Sequence, residues 1–318
     1  MKKTLQTLLS LAVVAASLVS CAKETLKETV IPAGEKIQVA VSGSIGDFVP
    51  SDDATKASAQ SVVRVTWDAE GDKVYVYDGS ACLGELTVKP NEDNPSHALL
   101  TGDITASSVS PSKLALVYVK GAATAPTIND GKISVDISSQ SSETVTDVPF
   151  VLYASIDYDT EKLSKKDEFV PFKFATSVMT VNCTNLFVGE ENAKIDINKA
   201  EIYGVSTACE LTIDGTGVKA VSGANTGTIT RTAGFEQSDS RCSFKLALAA
   251  DPTAPEARKI LVYQGSRISE AAFTSKTLAG GKSYNTVYQM SEYVFSIKIF
   301  NDLISGGPNP ETGYGIAW

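Results

Sequence analysis

Glu70-Gly71-Asp72-Lys73-Val74-Tyr75-Val76-Tyr77-Asp78-Gly79 decides the fold class. Val74 to Tyr77 alternates β-branched and aromatic side chains, the kinds that pack best on a pleated surface. Turn formers bracket the run: glycine reaches backbone angles closed to other residues, and aspartate bonds its own backbone. An apolar run this short between two turns reads as a buried strand. Moving outward, Leu114-Ala115-Leu116-Val117-Tyr118-Val119 repeats the pattern and is closed by Lys120-Gly121. Ile37, Val39 and Val41 take one face of an alternating run, with Gln38, Ala40 and Ser42 on the other. Ile133, Val135 and Ile137 alternate with Ser134, Asp136 and Ser138. Ile195/Ile197, Leu211/Ile213, Phe244/Leu246/Leu248 and Ile260-Leu261-Val262-Tyr263 come later, with turns at Asn129-Asp130-Gly131, Asp214-Gly215 and Gly280-Gly281. Many short strands with regular turns predict an all-β chain built of β-sandwiches.

The one helical signal lies at Asp159-Thr160-Glu161-Lys162-Leu163. The charged stretch from Glu161 to Glu168 marks a boundary, and the apolar Phe169-Val170-Pro171-Phe172-Lys173-Phe174 opens a second domain. The expected domains are therefore 35–168 and 169–318. No repeat at a solenoid or propeller period is present.

The N-terminus is a targeting segment. Lys2 and Lys3 precede an apolar run from Leu8 to Val19, shorter than the about 20 residues that a membrane span needs. It ends in Leu18-Val19-Ser20-Cys21, which resembles the lipobox of bacterial lipoproteins. That resemblance implies a signal peptide over 1–20, cleavage before Cys21 and acylation of its thiol, palmitate being one of the chains. The other reading is an ordinary signal peptide with a chance cysteine. Several acyl chains on one cysteine anchor a protein stably without a spanning helix. Residues 21–34 are a polar tether with too few apolar side chains to pack a core. Its charged residues resemble the surface-export signals of some Gram-negative lipoproteins, and a solvated linker explains them as well.

A net charge of −9 excludes a nucleic-acid partner and suits a body outside the cell. Cys82, Cys183, Cys209 and Cys242 form no CxxC and show no metal-ligand spacing. They are buried thiols or, in an oxidising compartment, disulfide partners. The single histidine, His97, sits in the Pro- and Asn-punctuated stretch Pro90 to His97, which reads as a surface loop, and a solvated loop histidine is expected. Any Ser-His-Asp or Cys-His device would have to use it. Gly204-Val205-Ser206-Thr207-Ala208 lacks the last glycine of a nucleophile elbow. Asp157-Tyr158-Asp159-Thr160-Glu161 lacks the glycine of a calcium loop. No enzyme activity, cofactor or metal is expected, although a carboxylate-only glycosidase needs no histidine.

Several segments, in order, resemble the fimbrillin family, the subunits of type V pili of Gram-negative bacteria. They are the lipobox at Cys21, Ala54-Thr55-Lys56-Ala57, Trp67 to Tyr77, Phe172-Lys173-Phe174-Ala175-Thr176-Ser177-Val178-Met179, Ile202-Tyr203-Gly204-Val205 and Leu278-Ala279-Gly280-Gly281-Lys282-Ser283-Tyr284. Their order and spacing carry the likeness. Two departures stand out. The processing motif reads Thr-Lys-Ala, which an arginine-only protease would not cut, and Lys173 replaces a histidine often seen in that strand. The resemblance implies two transthyretin-like Greek-key β-sandwich domains, an outer-membrane lipoprotein at the cell surface, proteolytic removal of an N-terminal strand, and polymerisation by strand exchange. The implied partners are other pilus subunits and a host or bacterial surface ligand.

Two segments carry the candidate sites. The polar loop from Ser51 to Ser61 holds Lys56, with Arg64, the first arginine of the chain, at its far edge. Small polar loop tips are preferred cutting sites, so cleavage is expected after Lys56, with Arg64 second. In segment 291–318, Tyr293, Phe295, Ile297 and Ile299 form an alternating apolar face, and Tyr314, Ile316 and Trp318 lie beyond a Gly-Pro-rich break. These residues are the candidate donor strand. The alternative is an ordinary last strand of its own domain. The rival functional reading is a monomeric surface lipoprotein that binds glycan by stacking sugars on exposed aromatics. Against it, Tyr75, Tyr77, Tyr118 and Tyr263 fall within strands.

Overall fold

The computed structural model describes residues 32–51, 62–68, 71–142, 147–186, 197–221, 223, 226–238, 240–251, 258–265, 267–273 and 277–292. Among them the chain is all-β, with one short helix, α1 (Thr160–Leu163). Asp159 caps that helix by accepting hydrogen bonds from the Glu161 and Lys162 N–H groups, satisfying donors that a helix start leaves unpaired.

The largest sheet runs in the order β11 (Phe169–Pro171), β1 (Lys36–Ser44), β5 (His97–Thr105), β4 (Cys82–Pro90), β3 (Lys73–Tyr77), β6 (Lys113–Val119), β10 (Val151–Asp157) and β12 (Lys173–Phe174). A second sheet orders β18 (Glu236–Ser238), β19 (Arg241–Ala249), β13 (Thr176–Thr184), β22 (Lys282–Gln289) and β2 (Val49–Pro50). A third orders β23 (Ser291–Glu292), β21 (Arg267–Phe273), β20 (Arg258–Gln264), β14 (Ile197–Val205), β17 (Gly227–Arg231) and β9 (Ser139–Gln140). The fourth is β16 (Val218–Val221), β15 (Ala208–Ile213), β8 (Lys132–Asp136) and β7 (Ile128–Asn129).

Val74 to Tyr77 is apolar on both sides because each side meets a core. Val74 and Val76 face one with Leu86, Leu100, Leu116 and Phe172. Tyr75 and Tyr77 face another, with Val117, Ile133, Leu211 and Phe244. A strand with a core on each side cannot spare a polar position, so its side chains vary in shape instead of polarity. The two hydroxyls are satisfied: Tyr75 Oη donates to the Ala122 carbonyl at 3.2 Å and Tyr77 Oη to that of Pro126 at 2.7 Å.

Main-chain pairing crosses residue 168 repeatedly. β12 pairs with β10, β8 with β15, β9 with β17, and β2 with β22. The apolar stretch after the charged boundary splits at Phe172. β11 runs parallel to β1, while β12 pairs antiparallel to β10 at the far side of the same sheet.

Candidate strand-exchange site

β1 forms because Ile37, Val39 and Val41 alternate with polar residues, and that alternation gives it one wet face and one dry one. It pairs antiparallel with β5 over its whole length, from Lys36↔Thr105 to Ser44↔His97. On its other side β11 reaches only Ser42, Gly43 and Ser44. Val39 and Val41 are each 1% exposed, and fully burying such side chains is worth about 1.5–3 kcal/mol apiece. Ser42 faces the other way, and its Oγ donates to the Lys166 carbonyl at 2.6 Å.

Past β1 the chain changes sheets. The Ile45 N–H donates to the Ser96 carbonyl at 3.0 Å. Phe48 is fully buried, its ring 4.1 Å from that of Phe174 and edge-on to Phe150 at 6.3 Å. Its N–H donates to the Val63 carbonyl at 2.9 Å, and the Val63 N–H donates back at 3.0 Å. β2 then pairs parallel with β22 through Val49↔Lys282 and Pro50↔Ser283, as the end strand of its sheet. A proline fits such an edge, where a missing donor breaks no ladder. Residues 36–51 therefore bind both sheets, and the processing candidate Lys56 comes shortly after them in the chain.

Of the expected processing residues, Lys56 lies outside the described residues. Arg64 is exposed, between the Val63 bridge and Val65, whose N–H donates to Asp47 Oδ1 at 3.1 Å. Val65 and Trp67 are 6% and 4% exposed. Trp67 Nε1 donates to the Ser96 carbonyl at 3.2 Å, and its ring meets Tyr118 and Phe172 edge-on at 5.3 and 5.4 Å. Tyr118 Oη donates to Asp72 Oδ1 at 2.7 Å, and the Asp68 N–H donates to Asp72 Oδ2 at 2.6 Å. Burial lifts the Asp72 carboxyl above the usual carboxylate range, against the pull of those two hydrogen bonds. Burial and the Asp72 carboxylate push the Tyr118 hydroxyl up. This clamp fixes the chain on the body side of Lys56.

Cys21 and the donor candidates Tyr293, Phe295, Ile297, Ile299, Tyr314, Ile316 and Trp318 also lie outside the described residues. The last described strand, β23, pairs with β21 at the edge of the third sheet.

The residues that could have carried chemistry do not converge. His97 is not in a loop. It opens β5, where pairing with Ser44 draws it into the ladder, and its ring lies 4.2 Å from that of Phe169. Ser206 Oγ donates to the Ala208 carbonyl at 2.8 Å, and Gly204 takes a φ of 76° at a bulge in β14. Cys82, Cys183, Cys209 and Cys242 are free thiols. Cys183 and Cys242 are cross-strand partners, and burial pushes the Cys183 and Cys209 thiols up to about 12. Among the described residues no three His, Cys, Asp or Glu side chains gather in a way that could hold a metal ion. No helix among them is long and apolar enough to cross a membrane.

The parts of this site that sequence reading missed are Phe48, β2 and the room around Gly43. Phe48 sits in Gly46-Asp47-Phe48-Val49-Pro50, where no period shows. An isolated aromatic between turn formers was the available signal.

No family model matches the chain, and no curated protein matches it. Solved structures do match over most of its length. A protein from Bacteroides uniformis assigned to cell adhesion is 15% identical, with 81% of this chain and 97% of that one covered and a TM-score of 0.44. Another with that assignment, from Bacteroides fragilis, is 13% identical, with 82% and 99% covered and a TM-score of 0.45. A fimbrial assembly protein from Parabacteroides distasonis is 8% identical, with 81% and 100% covered and a TM-score of 0.35. Likenesses at these identities and TM-scores say nothing of what this chain does.

Proposed function

We propose that this chain is a structural or adhesive subunit of a type V-like surface filament, and that it joins its neighbours by strand exchange after an N-terminal strand is cut away. One observation carries the reading: residues 36–51 lie next to the end strand of one sheet and form the end strand of another, just ahead of the stretch that holds Lys56. A cut at Lys56 separates this segment from the body and leaves the Val65 and Trp67 contacts with Tyr118 and Phe172 on the body side. Arg64 is the second site. Departure of the segment opens the edge of β5 over Leu86, Leu100, Ile104 and Phe172, which share a core with Val39 and Val41. A long apolar edge invites another strand. Main-chain hydrogen bonds would give affinity, and alternate side chains would give register.

The donor in this reading is the C-terminal segment with Tyr293, Phe295, Ile297 and Ile299, extended by Tyr314, Ile316 and Trp318. It leaves its own subunit and completes a neighbour's groove. A head-to-tail contact of that kind does not close, so it builds a filament. Lipid on Cys21 would hold the unprocessed chain at the outer membrane, facing outward.

The glycan reading is less well supported. Trp67, Tyr75, Tyr77 and Tyr118 are buried. The Tyr263 ring has Lys199 Nζ over it at 3.8 Å, and its hydroxyl is bound to Glu201. The four buried rings offer a sugar no free face, and one face of the Tyr263 ring is already taken by Lys199.

The test is N-terminal sequencing of protein from sheared surface filaments. The expected new N-terminus is residue 57, or residue 65 if Arg64 is cut. Sheared filaments that lack this chain, while it stays a monomer on the cell, overturn the reading.

A further inference from the structure

One position in the seat of β1 takes at most a single added methyl, and that only if its neighbours give by a few tenths of an ångström. A Cβ built on Gly43 would lie 3.0 Å from Leu100 Cδ1 and 3.1 Å from Phe172 Cε2. Gly43 is not among the glycines with positive φ, so this glycine is kept for space and not for conformation. Neither neighbour can retreat far. Leu100 is fully buried. Phe172 stands edge-on to Trp67, which stays with the body when residues 36–51 leave. Interiors packed this densely feel a single added methylene. Two residues earlier on the same face the seat is deep, since it takes the whole of Val41, and Val39 before that.

Building on the strand-exchange reading, we infer that the groove under β1 is a registry slot. It accepts an extended segment of another protein that carries branched apolar residues at two successive inward positions and glycine, or at most alanine, at the third. In β1 those positions are Val39, Val41 and Gly43. Because side chains alternate with a period of two, a slip by one residue turns the whole apolar row outward, and a slip by two puts a bulky side chain against Leu100 and Phe172.

The slot selects the partner. In this chain's own tail, Tyr293, Phe295, Ile297 and Ile299 are bulky at every step. Gly306 comes after Ile304 but also Asp302, Gly307 after Ser305, and Ala317 after Gly315 and Gly313. Read in the opposite direction, the same glycines are succeeded by prolines, an asparagine or further small residues. No register of 293–318 satisfies the slot in either direction. The occupant is therefore a segment of a different subunit with the pattern apolar-x-apolar-x-Gly, and a second copy of this chain is rejected. Growth at this groove is heterotypic, and this chain's own tail serves the groove of a related subunit instead.

The test uses the full chain with a sequence-specific protease site placed within 52–61. The chain is folded, nicked, and offered labelled peptides in urea below its unfolding transition. The peptides cover residues 35–51 as they stand, with Gly43→Ala and with Gly43→Leu, and a fourth covers residues 291–305. Anisotropy reports capture, and native mass spectrometry reports displacement of the original segment. Capture of the unchanged and Ala peptides, with the Leu and tail peptides weaker by a hundredfold or more, is the expected result. If the Leu or tail peptide binds within about threefold of the unchanged one, the slot does not exist, while strand exchange stands. If no peptide is captured, including the unchanged one, strand exchange fails and the slot with it. The substitutions are in the peptides, so folding of the body is not in question.

Discussion

Phe48→Ala tests how the N-terminal segment is held. The ring is fully buried between Phe174 and Phe150. Truncating a buried phenylalanine costs about 3–5 kcal/mol, part transfer and part cavity. Two aromatic contacts are lost as well, of a kind worth about 0.5–1.5 kcal/mol each beyond their area. The site lies near the edge of one sheet, where neighbours can close in, so the lower part of the range applies and we expect about 3 kcal/mol. Against a total stability of about 5–15 kcal/mol this is a large share. In the intact chain the loss appears as a lower urea midpoint at unchanged slope. In a chain nicked within 52–61 it appears as faster release of residues 36–51, because the substitution weakens the segment and not the body. Val49→Ala is the control. Val49 is 43% exposed, and a surface change of that kind shifts stability by only about 0.5 kcal/mol. A Phe48→Ala loss below about 1 kcal/mol, or unaltered release from the nicked chain, would refute the argument that Phe48 is the anchor of the segment.

Three further outcomes are expected. Cys21→Ala abolishes labelling by a fatty-acid analogue and frees the protein from the membrane; undiminished labelling would end the lipid reading. Phe295→Asp combined with Ile297→Asp, in a chain that still folds by circular dichroism, loses its place in filaments, and deletion of residues 311–318 tests the terminal part separately; normal filaments from both variants exclude the tail as donor. Glu201 gives a pH-dependent contribution. Burial raises its carboxyl, but hydrogen bonds from Tyr203 Oη at 2.6 Å, Tyr263 Oη at 2.5 Å and Lys199 outweigh that and leave it below the usual carboxylate range. A lowered folded-state pKa stabilises above the unfolded value and is lost as pH falls through the folded one. Glu201→Gln should therefore reduce stability at pH 7 and narrow the difference between pH 7 and acid, as read from urea midpoints; an unchanged difference would refute it.

Strands with one wet face were legible. Ile37, Val39 and Val41 announced β1, and Ile133, Val135 and Ile137 announced β8, because alternation is a local consequence of the pleat. The helix at Thr160–Leu163 was legible from its aspartate cap. Partners were not. Val178 meets Ser283 in a parallel ladder across a long stretch of chain, and Val49 meets Lys282 in a strand of two residues. Such pairings are settled by which faces can be buried together, and no window along the sequence contains both partners. His97 was misread because the turn signals of Asn91 and Asn94 end just before it, while its pairing partner Ser44 lies far upstream. Ser42-Gly43-Ser44 looks like the end of a strand, yet all three residues are paired on both sides. The space that makes Gly43 necessary belongs to Leu100 and Phe172.

The ladder between β1 and β5 has a mechanical meaning. Its bonds lie crosswise to the strands, in line from Lys36↔Thr105 to Ser44↔His97. A strand seated there and pulled along its own axis loads every bond of the row together, and none can part before its neighbours. The β2 pairing with β22 spans only Val49↔Lys282 and Pro50↔Ser283 and has no such reserve. In the proposed filament, tension would thus fall on the joint best shaped to resist sliding. Peeling from the Lys36 end, where β11 does not reach, breaks the same bonds one at a time, the Gly34 and Glu35 bonds to Ala106 first. A joint built this way stays shut under drag and opens readily to an unstressed exchange partner.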